Sequence, residues 1–170
     1  MAVAAASVLV VTASGEASAA SGIPSSTSDV PTAIFAFKAD EGAHPVGGRF
    51  GEWIAPDSEI MVWEHENILK IDAEDETGFD YIRVELNAPG HAPLEVGSYS
   101  DVRNQDTDGS PGMRVISGGL SCGDTYGEFV IDRIERNPTT QTLVGLDARF
   151  TQRCTTPDGP ALHGRIHYQP

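Results

Sequence analysis

Three groups of residues in this chain have the types and spacing to carry chemistry. The first is Asn104-x-Asp106-x-Asp108-Gly109, which sets oxygen donors at alternate positions ahead of a glycine. That is the first half of a calcium loop, because a hard cation takes several oxygens from one tight turn. The twelfth position of such a loop would be Val115 where a bidentate glutamate belongs, and no helical pattern flanks it. A plain acidic turn is the simpler reading and weak calcium binding the candidate one; no other cofactor is indicated. A second acidic run, Asp72-Ala73-Glu74-Asp75-Glu76, reads as a solvated strand end. The second group is Gly119-Leu120-Ser121-Cys122-Gly123, which fits the G-x-S-x-G pattern with Asp158 and His163 following in hydrolase order. A nucleophile elbow joins a strand to a helix, whereas the next pattern here, Phe129 to Ile134, is another strand. A glycine turn beside a cystine is favoured, and no catalytic residue is assigned. The third group is aromatic. Trp53, Trp63 and Tyr81 together offer a flat ligand platform for a sugar ring, against the commoner use of tryptophan in a small β core.

The histidines His44, His65, His91, His163 and His167 have no metal-binding spacing. His163 and His167 share one strand face but stand roughly 13 Å apart at about 3.3 Å per residue, too far for one ion. With little thiolate or clustered imidazole, zinc and copper have no ligand set.

Strands are the elements that must position these groups. In Leu143 to Thr151 the residues Val144, Leu146, Ala148 and Phe150 alternate with Asp147, Arg149 and Thr151, the period-two pattern of a strand with one buried face. The same pattern predicts strands at Ile34 to Phe37, Glu59 to Trp63, Ile68 to Ala73, Asp80 to Leu86, Val96 to Val102, Met113 to Ile116, Glu128 to Ile134 and Leu162 to Tyr168. The glycine-rich stretch from Gly42 to Gly51 matches no phosphate-binding fingerprint and reads as a turn or wide bulge. His65-Glu66-Asn67 and Glu76-Thr77-Gly78 are short enough for hairpins. The expected fold is all-β: an antiparallel sandwich or jelly-roll-like barrel of eight or nine strands over residues 34–170. Ile82, Val84, Leu86, Phe129, Ile131, Leu146 and Phe150 are expected in its core.

Length and composition agree with one such domain. The 170 residues include 18 glycines and 11 prolines, a turn-rich content without a collagen period. Eleven Lys plus Arg against 25 Asp plus Glu give a net charge of −14, which disfavours nucleic acid and anionic bilayers. Residues 1–20, MAVAAASVLVVTASGEASAA, end in the small-x-small pattern Ala17-Ser18-Ala19, which predicts a secretory signal whose start is cut short, since the basic n-region is missing. The segment is too short to span a membrane. Residues 21–33 are Ser/Thr/Pro-rich and read as a flexible tether. In an exported chain, Cys122 and Cys154 are most simply paired with each other.

From Ile34 onward the chain resembles a β-rich module that recurs in secreted and surface proteins of bacteria. The matching pieces are Pro45-Val46-Gly47-Gly48, Val84 to Tyr99, Gly118 to Cys122, Gly127-Glu128-Phe129-Val130, Ala148 to Cys154 and Pro160 to Gly164. The resemblance implies a secreted accessory module with a structural cysteine pair, and transfers no catalytic residues. The expected function is therefore a secreted, non-catalytic binding or accessory module, a monomer acting on an extracellular ligand with polysaccharide as the candidate class. A structural, envelope-associated protein is the alternative, and a secreted hydrolase comes last.

Overall fold

Alternating side chains give each strand one apolar face, and two sheets that bury those faces against each other satisfy the whole pattern at once. The computed structural model describes residues 32–105, 107 and 109–170. The expected signal segment and all but the end of the tether lie outside the described residues. Eleven strands follow in order: β1 (Ala33–Ala39), β2 (Phe50–Ile54), β3 (Glu59–His65), β4 (Ile68–Glu74), β5 (Tyr81–Asn87), β6 (Gly97–Val102), β7 (Gly112–Ser117), β8 (Leu120–Ser121), β9 (Thr125–Arg136), β10 (Leu143–Cys154) and β11 (Ala161–Tyr168). They form a six-stranded sheet, β2-β1-β11-β10-β9-β6, and a five-stranded sheet, β3-β4-β5-β7-β8. Every strand pairing is antiparallel, and the sheets pack as a sandwich. All seven core residues expected from the sequence are buried, none above 5% exposed.

Two strands escaped the sequence reading. β8 is only two residues long. β2 begins inside the glycine-rich stretch that reads as a turn, and the reason is steric. Phe37 on β1 lies directly opposite Gly51 on β2, and a Cβ on Gly51 would stand 2.6 Å from the Phe37 ring. The glycine leaves the strand intact and gives its side-chain volume to the neighbouring aromatic. The same device recurs one strand over, where Gly164 faces Phe37 on one side and Phe150 on the other, and the Phe150 ring fills the space a Cβ there would need. Continuing through Phe129 and Tyr99, one inward-facing row crosses all six strands: Gly51, Phe37, Gly164, Phe150, Phe129 and Tyr99. Trp53 stacks on Phe37 at 5.6 Å between centroids, and Tyr99 stacks on Phe129 at 4.5 Å.

Two links join the sheets at separate places. The Cys122–Cys154 disulfide connects the residue after β8 to the end of β10, with Cα atoms 5.4 Å apart and a sequence separation of 32. On the chain-entropy estimate that closure stabilises the fold by roughly 3–4 kcal/mol. Arg136 on β9 reaches Glu64 on β3 through two hydrogen bonds of 2.6 Å and donates a third to the Leu94 carbonyl. The hairpin turns follow their sequence chemistry. Glu66 and Asn67 both take positive φ, 53° and 60°, the two-residue turn whose twist matches the strands. Gly118 and Gly119, at φ 56° and 75°, turn β7 into β8 in the same way.

Filling the glycine row should damage the core although the added group is only a methyl. Gly164→Ala should lower unfolding stability by about 1–3 kcal/mol through overpacking. Adding Phe150→Leu should cost less in the Gly164→Ala background than in the wild type, a coupling that denaturant melts of the four proteins would measure.

Candidate functional site

Side chains at the same register position share a sheet face, so the inward row fixes what flanks it outside. On one side run Glu52, Ala36, Arg165, Arg149, Val130 and Ser98, paired strand to strand from β2 to β6. On the other run Phe50, Lys38, His163, Thr151 and Glu128, from β2 to β9. Between the two rows, on the solvent side of the six-stranded sheet, lies a groove of about 420 Å³, floored by the chain at Phe37, Gly164, Phe150 and Phe129. It crosses four strands, about 14 Å at the usual interstrand spacing. Such a volume suits a ligand of several rings.

The groove has hydrogen-bonding walls, and an exposed apolar side chain stands on the strand beside it. His163 Nδ1 and Thr151 Oγ1 are 3.1 Å apart. Arg149 pairs with Asp132, and Arg165 lies 3.6 Å from Glu52. Lys38 forms no ion pair among the described residues. Phe50, opposite Lys38 on the edge strand, is 83% exposed. A second cavity, of about 350 Å³, shares Glu128 and Thr151 with the groove and adds Arg103 and Arg153. Arg103 stacks over the Tyr126 ring at 4.6 Å.

Farther along the same face, His167 Nδ1–H donates to Asp147 Oδ1 at 2.6 Å and Arg133 Nε–H to Asp147 Oδ2 at 2.6 Å. Burial raises the Asp147 carboxyl, but the hydrogen bonds from His167 and Arg133 outweigh it and hold the group below its ordinary value. Among the described residues no hydroxyl or thiol hydrogen-bonds to the His167 and Asp147 side chains.

The residues singled out by sequence are dispersed. Trp53 is 5% exposed and packs on Phe35 and Phe37 inside the sandwich, so it belongs to the core. Trp63 and Tyr81 face solvent on the other sheet, where Trp63 sits opposite Lys70 and Tyr81 opposite Glu74; they are two strands apart and Tyr81 accepts from the Gly119 N–H. The three therefore make no common platform. Ser121 pairs with Ile116 in the five-stranded sheet while His163 lies in the six-stranded one. The G-x-S-x-G run is thus a hairpin corner whose Ser121 carbonyl lies 3.1 Å from His44 Nε2. Asn104 uses its whole amide as a clamp, Nδ2 donating to the Gly123 carbonyl at 2.6 Å and Oδ1 accepting from the Thr125 N–H at 2.8 Å. Asp106 and Asp108 lie outside the described residues. Among the described residues no group of three or more His, Cys, Asp or Glu side chains is placed to hold a metal. The acidic run around Asp75 is a self-closed turn in which Thr77 donates from both its N–H and its hydroxyl to the Asp75 carboxylate. No helix among the described residues is long and apolar enough to cross a membrane.

Sequence reasoning missed Lys38, Arg149, Arg165, Thr151 and Phe50. For Arg149, Arg165 and Thr151 the signal was present as the polar positions of alternating strands, but the register that sets them beside Lys38 and Phe50 joins segments more than a hundred residues apart. No family model, curated protein or solved structure matches the chain.

Two measurements follow. Asn104→Ala should lower stability by about 1–2 kcal/mol through the two lost hydrogen bonds, equally in EDTA and in millimolar calcium, as thermal melts would show. Asp147 is held low in the folded state, so its contribution is present above the unfolded pKa and lost as pH falls through the folded one. The stability gap between wild type and Asp147→Asn should therefore shrink between pH 5 and pH 3 in denaturant titrations.

Proposed function

We propose that the protein is a secreted, non-catalytic binding module whose ligand seat is the outer groove of the six-stranded sheet. The observation that carries this reading is the pair of outward rows, which place polar and cationic side chains along both walls and an exposed phenyl ring on the strand beside them. A sugar chain fits that arrangement. Its hydroxyls need several hydrogen-bond partners spread along a line, and its ring faces need a flat apolar surface. The groove runs across the strands, so its length is set by the rigid interstrand spacing and not by a mobile loop, which keeps the ordering cost of binding low. The extracellular setting is supported by the disulfide, which persists where thiols are not kept reduced, and by the signal-like N-terminal composition. The resemblance to a recurring module of bacterial surface and secreted proteins points the same way. We read the domain as a monomer that delivers or anchors through polysaccharide contact.

Phe50 is the residue to test because it is surface-exposed. Phe50→Ala should change stability by less than about 0.5 kcal/mol while weakening polysaccharide binding about tenfold, roughly 1.4 kcal/mol. Affinity electrophoresis across a polysaccharide panel, followed by calorimetry on the ligand found, would measure this. Retention of wild type and Phe50→Ala alike would remove Phe50 from the site, and no retention on any polysaccharide would remove the reading itself.

A further inference from the structure

The charges on the groove are not those of the rest of the chain. Lys38, Arg149 and Arg165 line it, and Arg103 and Arg153 line the adjoining cavity. Those five are drawn from a total of 11 Lys and Arg. Among the described residues the acids that line either cavity are Glu128 and Asp101 alone. A chain with more than twice as many acids as bases has gathered nearly half its cations on one surface.

The arrangement of those cations runs against stability. Arg149 and Arg165 are directly opposite each other on β10 and β11. Like charges in that position repel and destabilise a sheet. The carboxylates at the rim offset this only weakly, because Arg149–Asp132 and Arg165–Glu52 are exposed pairs of the kind that contribute little in water. A fold gains nothing from such a block of positive charge, whereas an anion lying between the rows would relieve it.

We propose that the ligand of the groove is an acidic polysaccharide, its uronate carboxylates held by Lys38, Arg149 and Arg165 while one sugar face rests on Phe50. This rests on the binding-module reading above and specifies its ligand. Arginine suits a sugar carboxylate because its planar fork matches the two oxygens. Thr151 and Glu128 on the facing wall remain for hydroxyls, and a carboxylate-bearing chain presents both kinds of group along one edge. Nucleic acid fits less well. A duplex carries one phosphate charge per roughly 1.7 Å of its axis and would bring that dense line against a chain of net −14, while a uronate chain carries at most one charge per sugar.

The global charge gives the interaction an unusual salt signature. At 0.15 M ionic strength the screening length is about 8 Å, less than the roughly 10 Å that separates two packed sheets, so the groove is shielded from the acidic far side. At 0.01 M the length is about 30 Å and the whole molecule repels a polyanion. Affinity should therefore rise between 10 mM and about 150 mM salt and fall again towards 1 M.

The test uses the full exported chain and three uronate polymers, polygalacturonate, alginate and hyaluronate, each beside its carboxyl-reduced counterpart with the same backbone and no charge. Binding to at least one acidic form, at least tenfold tighter than to its reduced form and with the stated salt maximum, is the expected result. Arg149→Gln, Arg165→Gln and Lys38→Gln should each weaken it about tenfold. The double variant Arg149→Gln/Arg165→Gln should melt no lower than wild type without ligand. Equal binding to acidic and reduced forms, or binding only to neutral glycans, would overturn the acidic ligand and leave the binding module standing. Binding to no polysaccharide would overturn both. Retention on double-stranded DNA and on sulfated dextran equal to that on the uronates would mark simple ion exchange and overturn the proposal. A melting temperature lowered by the double variant would show that the arginines serve the fold, and would count against it.

Discussion

The structure depends on a packing constraint along one register line. Phe37 and Phe150 can enter the interior of the six-stranded sheet only because their cross-strand neighbours, Gly51 and Gly164, have no side chains. Protein interiors are close-packed to the density of organic crystals, so a large ring on one strand demands a gap on the next. Alternating glycine with phenylalanine meets that demand without breaking the backbone ladder, which glycine leaves intact while contributing no packing of its own. Phe35, Phe37, Trp53 and Phe150 then form one aromatic cluster at the centre of the sandwich. Everything that closes the molecule, from the disulfide to the Arg136–Glu64 bridge, joins sheets whose relative placement those rings have already set.

That inner line also fixes the outer surface. A one-residue slip between any two strands would flip every side chain to the opposite face, which would bring Arg149, Arg165 and Lys38 into the core. The burial of the rings therefore enforces the register that aligns the two outward rows, and the glycines that admit the rings thin the floor between those rows. Core and groove are two sides of one backbone segment. Changes to the inner row will consequently be felt at the groove even where no groove side chain is touched.

Much of this was legible in the sequence and some of it could not be. Period-two alternation located nine strands, because a half-buried strand must alternate whatever its partners are. The core members named from it, such as Ile82, Leu86 and Leu146, are buried for the same local reason. β2 was lost because Gly51 looks like a chain breaker until Phe37 is seen beside it, and that contact belongs to the pairing and not to the segment. The platform of Trp53, Trp63 and Tyr81 failed for a related cause. Residue type marks an aromatic as useful to a ligand or to a core, but only the face it occupies decides which, and Trp53 faces inward while Phe50, three residues earlier, faces out. The cation block was invisible because Lys38 meets His163 and Arg149 meets Arg165 only once β1, β10 and β11 lie side by side.

The contrast between the two outer faces locates the site better than either face alone. In the middle of the five-stranded sheet charges are matched across strands: Asp72 lies opposite Arg83 and pairs with it, Lys70 lies opposite Glu85 at 3.7 Å, and Glu85 is flanked on its other side by Arg114, while at the sheet's end Glu59 lies opposite Glu74. Asp72 and Glu85 are buried there, at 3% and 8% exposure, and a buried carboxylate is tolerated only when it is paired. The middle of that surface therefore turns its charges towards each other. On the six-stranded sheet the same cross-strand geometry sets Arg149 opposite Arg165, and their carboxylate partners, Asp132 and Glu52, come from β9 and β2. One chain thus carries both solutions to the same problem. The groove lies on the face where two arginines meet directly across the central strands.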